Sequence, residues 1–266
     1  MDHPLQAWRD TLEELGVMGL VREPVPEAVA APAPAPAAAT PPARPRPAPA
    51  PAPPAAYLPP TSPGACPSTE AVAGAPDLAA LQQVIQGCLA CPLGPRRLKF
   101  VFGEGDPGAR LLFVGEGPGH EEDQTGRPFV GKAGELLDKM IGAIGLKRTD
   151  TYIANIVKCR PPDNRTPTTE EARACLGYLH RQIELVQPAV IVTLGATPLR
   201  ELVGVSEGIT KVRGQWRRVQ IGGREIPVMP TFHPAYVLRQ YTPEVRRAVW
   251  DDFRAAKAWM DKAAEE

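Results

Sequence analysis

From about residue 77 onward the chain switches between two hydrophobic periods, one suited to strands and one to helices. ARLLFVGE (Ala109 to Glu116) is a nearly unbroken apolar run closed by a glycine turn, which predicts a strand buried on both faces. After a Gly-Pro loop, Ala133, Leu136, Leu137, Met140, Ile141 and Ile144 mark a helix stopped at Gly145. TYIANIVK (Thr151 to Lys158) reads as a second strand, and the capping box Thr168-Thr169-Glu170-Glu171 opens a helix to about Val186. AVIVTLG (Ala189 to Gly195) follows as a third buried strand, then a short helix at Thr197 to Val203. A hairpin around Gly222-Gly223 leads into a fourth core strand at Ile226–Thr231, and a last helix runs from Pro243 to about Ala263. This alternation predicts a three-layer α/β/α sandwich with a central, mostly parallel four-stranded sheet. Ligands in such sheets sit beyond the carboxyl ends of the strands. The loops expected there are Glu116–Gly131, Lys158–Pro167, Gly195–Pro198 and His233–Arg239.

The pattern changes before residue 77. Residues 23–76 are dominated by Pro and Ala, cannot bury apolar area, and are expected to form a disordered, extended tether. Ahead of it, Leu5, Trp8, Leu12, Leu15 and Leu20 fall near helical spacing, so residues 1–22 are read as a short amphipathic helix that could dock on a protein partner. The folded domain is assigned to 77–266. With no run of eighteen apolar residues and no secretory h-region, the chain is expected to be cytoplasmic and free of the membrane. A formal net charge of +0 leaves the distribution of charge, rather than its total, to decide about nucleic acid.

Five cysteines in a cytoplasmic chain argue for metal or redox chemistry over disulfides. Four of them are split into a close pair, Cys88-x2-Cys91, and a spread pair, Cys159 and Cys175, with Cys66 left over as a free thiol. A four-thiolate site suits a structural zinc or an iron–sulfur cluster. Paired zinc knuckles are usually both tight, so the spread second pair favours a [4Fe–4S] cluster, with zinc as the alternative.

Between the two pairs lies GEGPGHEEDQTGRPFVGKAG, from Gly115 to Gly134. Its glycines follow a strand, but the GxGxxG spacing fails and no GKS or GKT is present, which disfavours a nucleotide-cofactor loop. A rigid turn that holds a carboxylate, Glu116, and backbone amides near a ligand fits better. Phe129 can serve as a platform for a planar ring. Asn155 interrupts an apolar strand, and its amide can match the imide edge of a base. His233, fixed by Pro234 at a strand end, can donate to a developing anion. His120 and His180 lack such context; His180 is expected on an exposed helix face.

These segments carry a resemblance. GEGPGHEEDQTGRPFVGKAGELL, YIANIVKCRPPDNRTP and TFHPAYVLR, with the four cysteines, resemble the family 4 uracil-DNA glycosylases over about residues 77–262. The resemblance implies an enzyme that flips deoxyuridine from single- or double-stranded DNA and hydrolyses its N-glycosidic bond, acting as a monomer. It implies cluster ligands at Cys88, Cys91, Cys159 and Cys175, with Phe129, Asn155, Gly117 and His233 around the uracil. Glu116 and His233 are the expected catalytic residues. Glu116 stands where the best-known members of the superfamily carry a water-activating aspartate, a departure that speaks against general-base catalysis and for positioning water or screening the sugar cation. Backbone amides of Gly117–Gly119 are expected to assist at the leaving base. Pro118, Tyr236, Leu238 and Arg239 are expected to touch DNA, with Tyr236 and Leu238 as a wedge. The rival of another class is a non-catalytic iron–sulfur module that only binds DNA. A zinc-stabilised structural protein is a further alternative.

Overall fold

The computed structural model describes residues 66–263, all within the compact unit Pro60–Glu266. The expected helix at 1–22 and most of the tether lie outside the described residues. Two short helices come first, α1 (Thr69–Ala73) and α2 (Leu78–Ile85), capped by the side chains of Ser68 and Asp77. Because α1 buries Val72, with Ala75 just after it, the folded part reaches back into the stretch read as linker.

The sheet has six strands in the order β1-β3-β2-β4-β6-β5, not four. Its centre is the expected parallel set: β2 (Leu111–Gly115), β3 (Tyr152–Asn155), β4 (Val190–Leu194) and β6 (Arg224–Thr231). An antiparallel strand borders each edge, β1 (Glu104–Gly105) beside β3 and β5 (Arg217–Ile221) beside β6. A two-residue strand leaves no period to detect. The arm β5 was foreseen as part of a hairpin but not counted into the sheet. Its Arg217, Arg218 and Gln220 suit an edge that meets water.

Helices cover both faces. On one, α5 (Thr169–Val186) packs against α2, β3 and β5, and its Leu179 and Ile183 join Leu112, Val114 and Ile191 in the core. On the other, α4 (Lys132–Ala143) meets α9 (Pro243–Lys262), and Phe253 of α9 stacks on Phe113 of β2 at 5.3 Å. Alternate residues of β2 therefore serve opposite layers, as strand geometry demands. Thr168 caps α5 as the sequence predicts, its hydroxyl accepting from Glu171 N–H while the Glu171 carboxylate accepts from Thr168 N–H.

Several loops carry more structure than their composition suggests. The Glu116–Gly131 loop contains α3 (His120–Thr125), and α8 (Pro234–Arg239) occupies the loop after β6. The short helix after β4 is a turn, α6 (Ala196–Pro198), running into a π-helical turn at Leu199–Val203, and α7 (Ile209–Val212) follows. Among the described residues no helix is long and apolar enough to cross a membrane.

Candidate active site

The carboxyl ends of the four parallel strands open into a cleft of about 830 Å³. Its walls include Glu116, Gly117 and Pro118 after β2, Asn155 at the end of β3, Gly195 and Thr197 after β4, and His233 after β6. The sequence-predicted residues Phe129 and Arg239 line it as well. Tyr236 and Leu238 do not. Tyr236 packs on Phe232 at 4.8 Å, whereas Leu238 is 42% exposed on α8.

Asn155 is 2% exposed, and its Oδ1 is a buried acceptor with no hydrogen-bond partner. Buried polar atoms are seldom left so, and this one lies in the cleft wall. Phe129, 6% exposed, stands beside it: a Cβ placed on Gly115 would lie 2.4 Å from Asn155 Oδ1 and 2.5 Å from Phe129 Cζ. A glycine at 115 lets the ring edge and the amide crowd one backbone point. Phe129 adopts φ 50°, a strained value for a bulky residue. Two features hold it there. Helix α4 approaches so closely that a Cβ on Gly134 would lie 1.9 Å from Phe129 O. Arg148 donates to Phe129 O at 3.1 Å and to Pro128 O at 2.5 Å, itself braced by Glu104 (2.7 Å) and Asp138 (2.8 Å).

His233 tilts against Phe129, with ring centroids 5.7 Å apart. Its Nδ1 accepts the Ala235 N–H at 3.1 Å, so in the neutral ring the proton resides on Nε2. Burial, with Arg239 adding repulsion, pulls its pKa down to about 4, against a small opposing pull from Glu122. The imidazole is thus neutral at ordinary pH while part of the residue remains open to the cleft. Glu116 is fixed by Thr197, whose hydroxyl donates to its Oε2 at 2.5 Å.

Glu122 joins two walls. Its Oε2 accepts from Gly119 N–H at 3.0 Å, and its Oε1 accepts from Val130 N–H at 2.9 Å and Gly131 N–H at 3.1 Å. This corrects one expectation, because the Gly119 amide is already engaged and Pro118 has none to offer. Only Gly117 N–H remains from that loop. The rim is basic: Lys132, Arg165, Arg200 and Arg239 line it, and Arg165 is held by a two-pronged ion pair to Glu171 (2.8 and 2.7 Å). Arg160 stands nearby, bonded to Asn164 at 2.8 Å and to His120 Nδ1 at 3.1 Å, which gives His120 a partner after all. His180 is half-buried instead of exposed, and burial lowers its pKa.

Cys88, Cys159 and Cys175 lie in the core layer that α5 covers, and Cys91 packs against it. Cys88, Cys159 and Cys175 are buried and Cys91 is half-buried, and the thiols of Cys91, Cys159 and Cys175 each feel the charge of others in the set. Burial pushes the Cys159 thiol up to about 11, the Cys175 thiol up to about 12, and Cys91 upward as well. N–H groups surround the sulfurs: Leu93 and Gly94 bond Cys91, Ala90 bonds Cys88, Lys158 bonds Cys175, and the Arg97 guanidinium bonds Cys159 at 3.5 Å. Among the described residues no three Cys, His, Asp or Glu side chains converge tightly enough for one metal ion.

A family model for the "Uracil DNA glycosylase superfamily" matches residues 102–254. The chain belongs to the uracil DNA glycosylase superfamily. Within it, a type-4 uracil-DNA glycosylase of Thermotoga maritima is 52% identical over 182 residues, covering 67% of this chain and 92% of that protein. A type-4 enzyme of Saccharolobus solfataricus is 44% identical over 178 residues, covering 65% and 82%. A type-5 uracil-DNA glycosylase of Thermus thermophilus is 32% identical over 159 residues, covering 48% and 72%. The superfamily match spans every cleft residue named above and both Cys159 and Cys175.

Sequence reasoning missed Glu122, Thr197, Arg148 and Lys158. Glu122 and Thr197 look like ordinary helix-terminus residues, and Arg148 is one of many arginines. Lys158 did leave a trace, as a lone charge in the apolar run IVKC.

Proposed function

We propose that this chain removes uracil from DNA by hydrolysing the N-glycosidic bond, releasing free uracil and leaving an abasic site. The observation that carries the reading is the unpartnered, buried Asn155 Oδ1 beside the Phe129 ring, in a cleft with a basic rim. Uracil offers an N3–H donor and an O4 acceptor on one edge, which the Asn155 amide can meet with Oδ1 and Nδ2. Cytosine presents N3 as an acceptor and an amino group at C4, so the same amide orientation mismatches both. Leaving one such buried contact unmade costs about 1–3 kcal/mol.

A paired base is out of reach, so the deoxyuridine must swing out of the stack into the cleft. Phe129 then stacks on its ring. As the C1′–N1 bond breaks, its electron pair leaves with uracil, and the sugar becomes cationic. The neutral His233 Nε2–H and the Gly117 N–H donate to the developing uracil anion; one such donor is worth roughly 3–4 kcal/mol. Glu116, held by Thr197, screens the sugar cation and orients the water whose oxygen adds to C1′. A proton from that water ends on uracil, so the reaction balances. Lys132, Arg165, Arg200 and Arg239 hold phosphates, and the exposed Leu238 fills the space left in the stack. All of these residues come from one chain, so a monomer suffices.

The cysteine cage fits a [4Fe–4S] cluster. Burial raises the thiols of Cys91, Cys159 and Cys175, so a bound metal would supply the charge that favours their thiolates. The N–H donors suit cluster sulfurs, and one close and one spread cysteine pair suit a cluster better than two tight zinc knuckles. Hydrolysis changes no oxidation state, so the cluster supplies structural anchorage. Such a thiol-held centre is at home in a reducing cytoplasm.

The test is strand scission, after alkali, of a labelled oligonucleotide with one deoxyuridine. Wild type should cut at uracil and spare cytosine and thymine, and Asn155→Ala should lose about 10²-fold in rate. Iron-loaded protein that leaves uracil in place would refute the enzyme and favour a module that only binds DNA.

A further inference from the structure

Lys158 is the most anomalous side chain in the domain. It is 0% exposed, and no carboxylate reaches it. Its Nζ donates to Asn155 O at 2.9 Å and to Gln182 Oε1 at 2.5 Å. Gln182 in turn donates through Nε2 to Phe102 O at 2.9 Å and to the Tyr152 hydroxyl at 3.1 Å. The same lysine bonds the Cys175 sulfur through its backbone N–H, and Cys159 follows it directly in the chain. An isolated ammonium in an apolar interior is strongly unfavourable, so such groups are found paired. Among the described residues the Lys158 ammonium is satisfied by two neutral acceptors alone, Asn155 O and Gln182 Oε1, while its backbone holds the cage side.

We propose that Lys158 is a positioning residue that ties the base-reading Asn155 to the cysteine cage. Its ammonium caps the carbonyl of Asn155, and its backbone N–H holds the Cys175 sulfur. Beyond Asn155 the chain leaves the regular strand but still follows the β2 end, with Ile156 N–H on Gly115 O at 2.9 Å and Val157 N–H on Glu116 O at 3.2 Å. Residues 155–158 are therefore one short strap. Its first residue faces the cleft, and its last is locked to the cage. A misplacement of about 1 Å at a reacting group can cost 10²-fold in rate, so a loose strap is felt at the base. The inference rests on the uracil-excision reading and explains why a hydrolase would keep a metal centre beside its pocket.

The experiment compares Lys158→Met with wild type, both as the full chain carrying its iron. Three quantities are read: kcat and KM on the deoxyuridine oligonucleotide, the visible absorbance per protein, and the rate of iron release to a chelator. The expected result is a fall in kcat of about tenfold or more with KM little changed, since the phosphate grip is intact, together with faster iron release. Unchanged kcat at full iron content overturns the tie. So does faster iron release with kcat per cluster unaltered, which would make Lys158 a counter-ion and nothing more. If Lys158→Met does not retain iron, Gln182→Met removes the shorter of the ammonium's bonds and touches neither pocket nor cage. It should lower kcat several-fold at full iron content, and no change would overturn the proposal. A wild type that excises no uracil would refute the excision reading instead, before either variant is compared.

Discussion

An alanine at Gly115 would put its methyl carbon 2.4 Å from Asn155 Oδ1, 2.5 Å from Phe129 Cζ and 2.6 Å from Phe129 Cε2. Ordinary contact begins at 3.4 Å, so the amide must retreat by about 1.0 Å (3.4 − 2.4) and the ring by about 0.9 Å (3.4 − 2.5). Neither can yield freely. Asn155 is held through its carbonyl by Lys158, and the Phe129 backbone is clamped by Arg148 and α4. Gly115 itself has no left-handed backbone, so alanine brings no conformational penalty and the effect is steric. Two base-binding groups displaced by roughly 1 Å predict a loss of about 10²-fold in kcat/KM, while overpacking costs about 1–3 kcal/mol of stability. Single-turnover excision measured beside a urea melt separates the two effects. A Gly115→Ala protein that folds and excises uracil within threefold of wild type would refute the placement of Phe129 and Asn155 as the jaws of the pocket.

Arg148→Met should lower kcat/KM about tenfold by releasing the Phe129 backbone, and lysine should not rescue it because one ammonium cannot replace the planar fork; a full lysine rescue in excision assays would contradict the clamp. His233 stays neutral down to about pH 4, so kcat/KM should show no inflection near 6.5 that disappears in His233→Gln. For the same group the folded pKa lies below the unfolded value near 6.5. Its contribution to stability is therefore complete above that value and is lost as pH falls toward about 4, and urea midpoints should show this window flattened in His233→Gln. If the proposed cluster joins Cys88 and Cys91 to Cys159 and Cys175, iron-loaded protein should lose its visible absorbance and several degrees of Tm on chelation; an unchanged Tm would contradict the structural role.

The residues that meet in the cleft were legible because each breaks its local pattern. Asn155 interrupts an apolar strand, His233 precedes a proline at a strand end, and Phe129 follows Arg-Pro. The parallel core was legible for the opposite reason: LLFVG and VIVTL have no polar face and are buried throughout. What escaped notice was support. The carboxylate of Glu122 reaches Val130 and Gly131 across eight and nine residues, and Arg148 reaches Glu104 across forty-four. Such pairings leave no periodic trace, since tertiary placement alone decides which of many like side chains meets a backbone group. Strand β1 was missed because its two residues pair only where β3 offers an edge. The folded boundary was misplaced because α1 sits in Pro-, Ser- and Gly-bearing sequence, where composition speaks louder than its one buried valine.

One carboxylate, Glu122, holds Gly119, Val130 and Gly131 by their N–H groups, so the two ends of the Glu116–Gly131 loop are pinned together before any DNA arrives. That loop has no closure left to perform. The work of drawing a nucleotide outward therefore falls on the DNA, and turnover should rank substrates by how loosely they hold the base. Single strands should come first, uracil opposite guanine next, and uracil opposite adenine last. A rigid receptor of this kind lets the weak points of the genome do part of its searching.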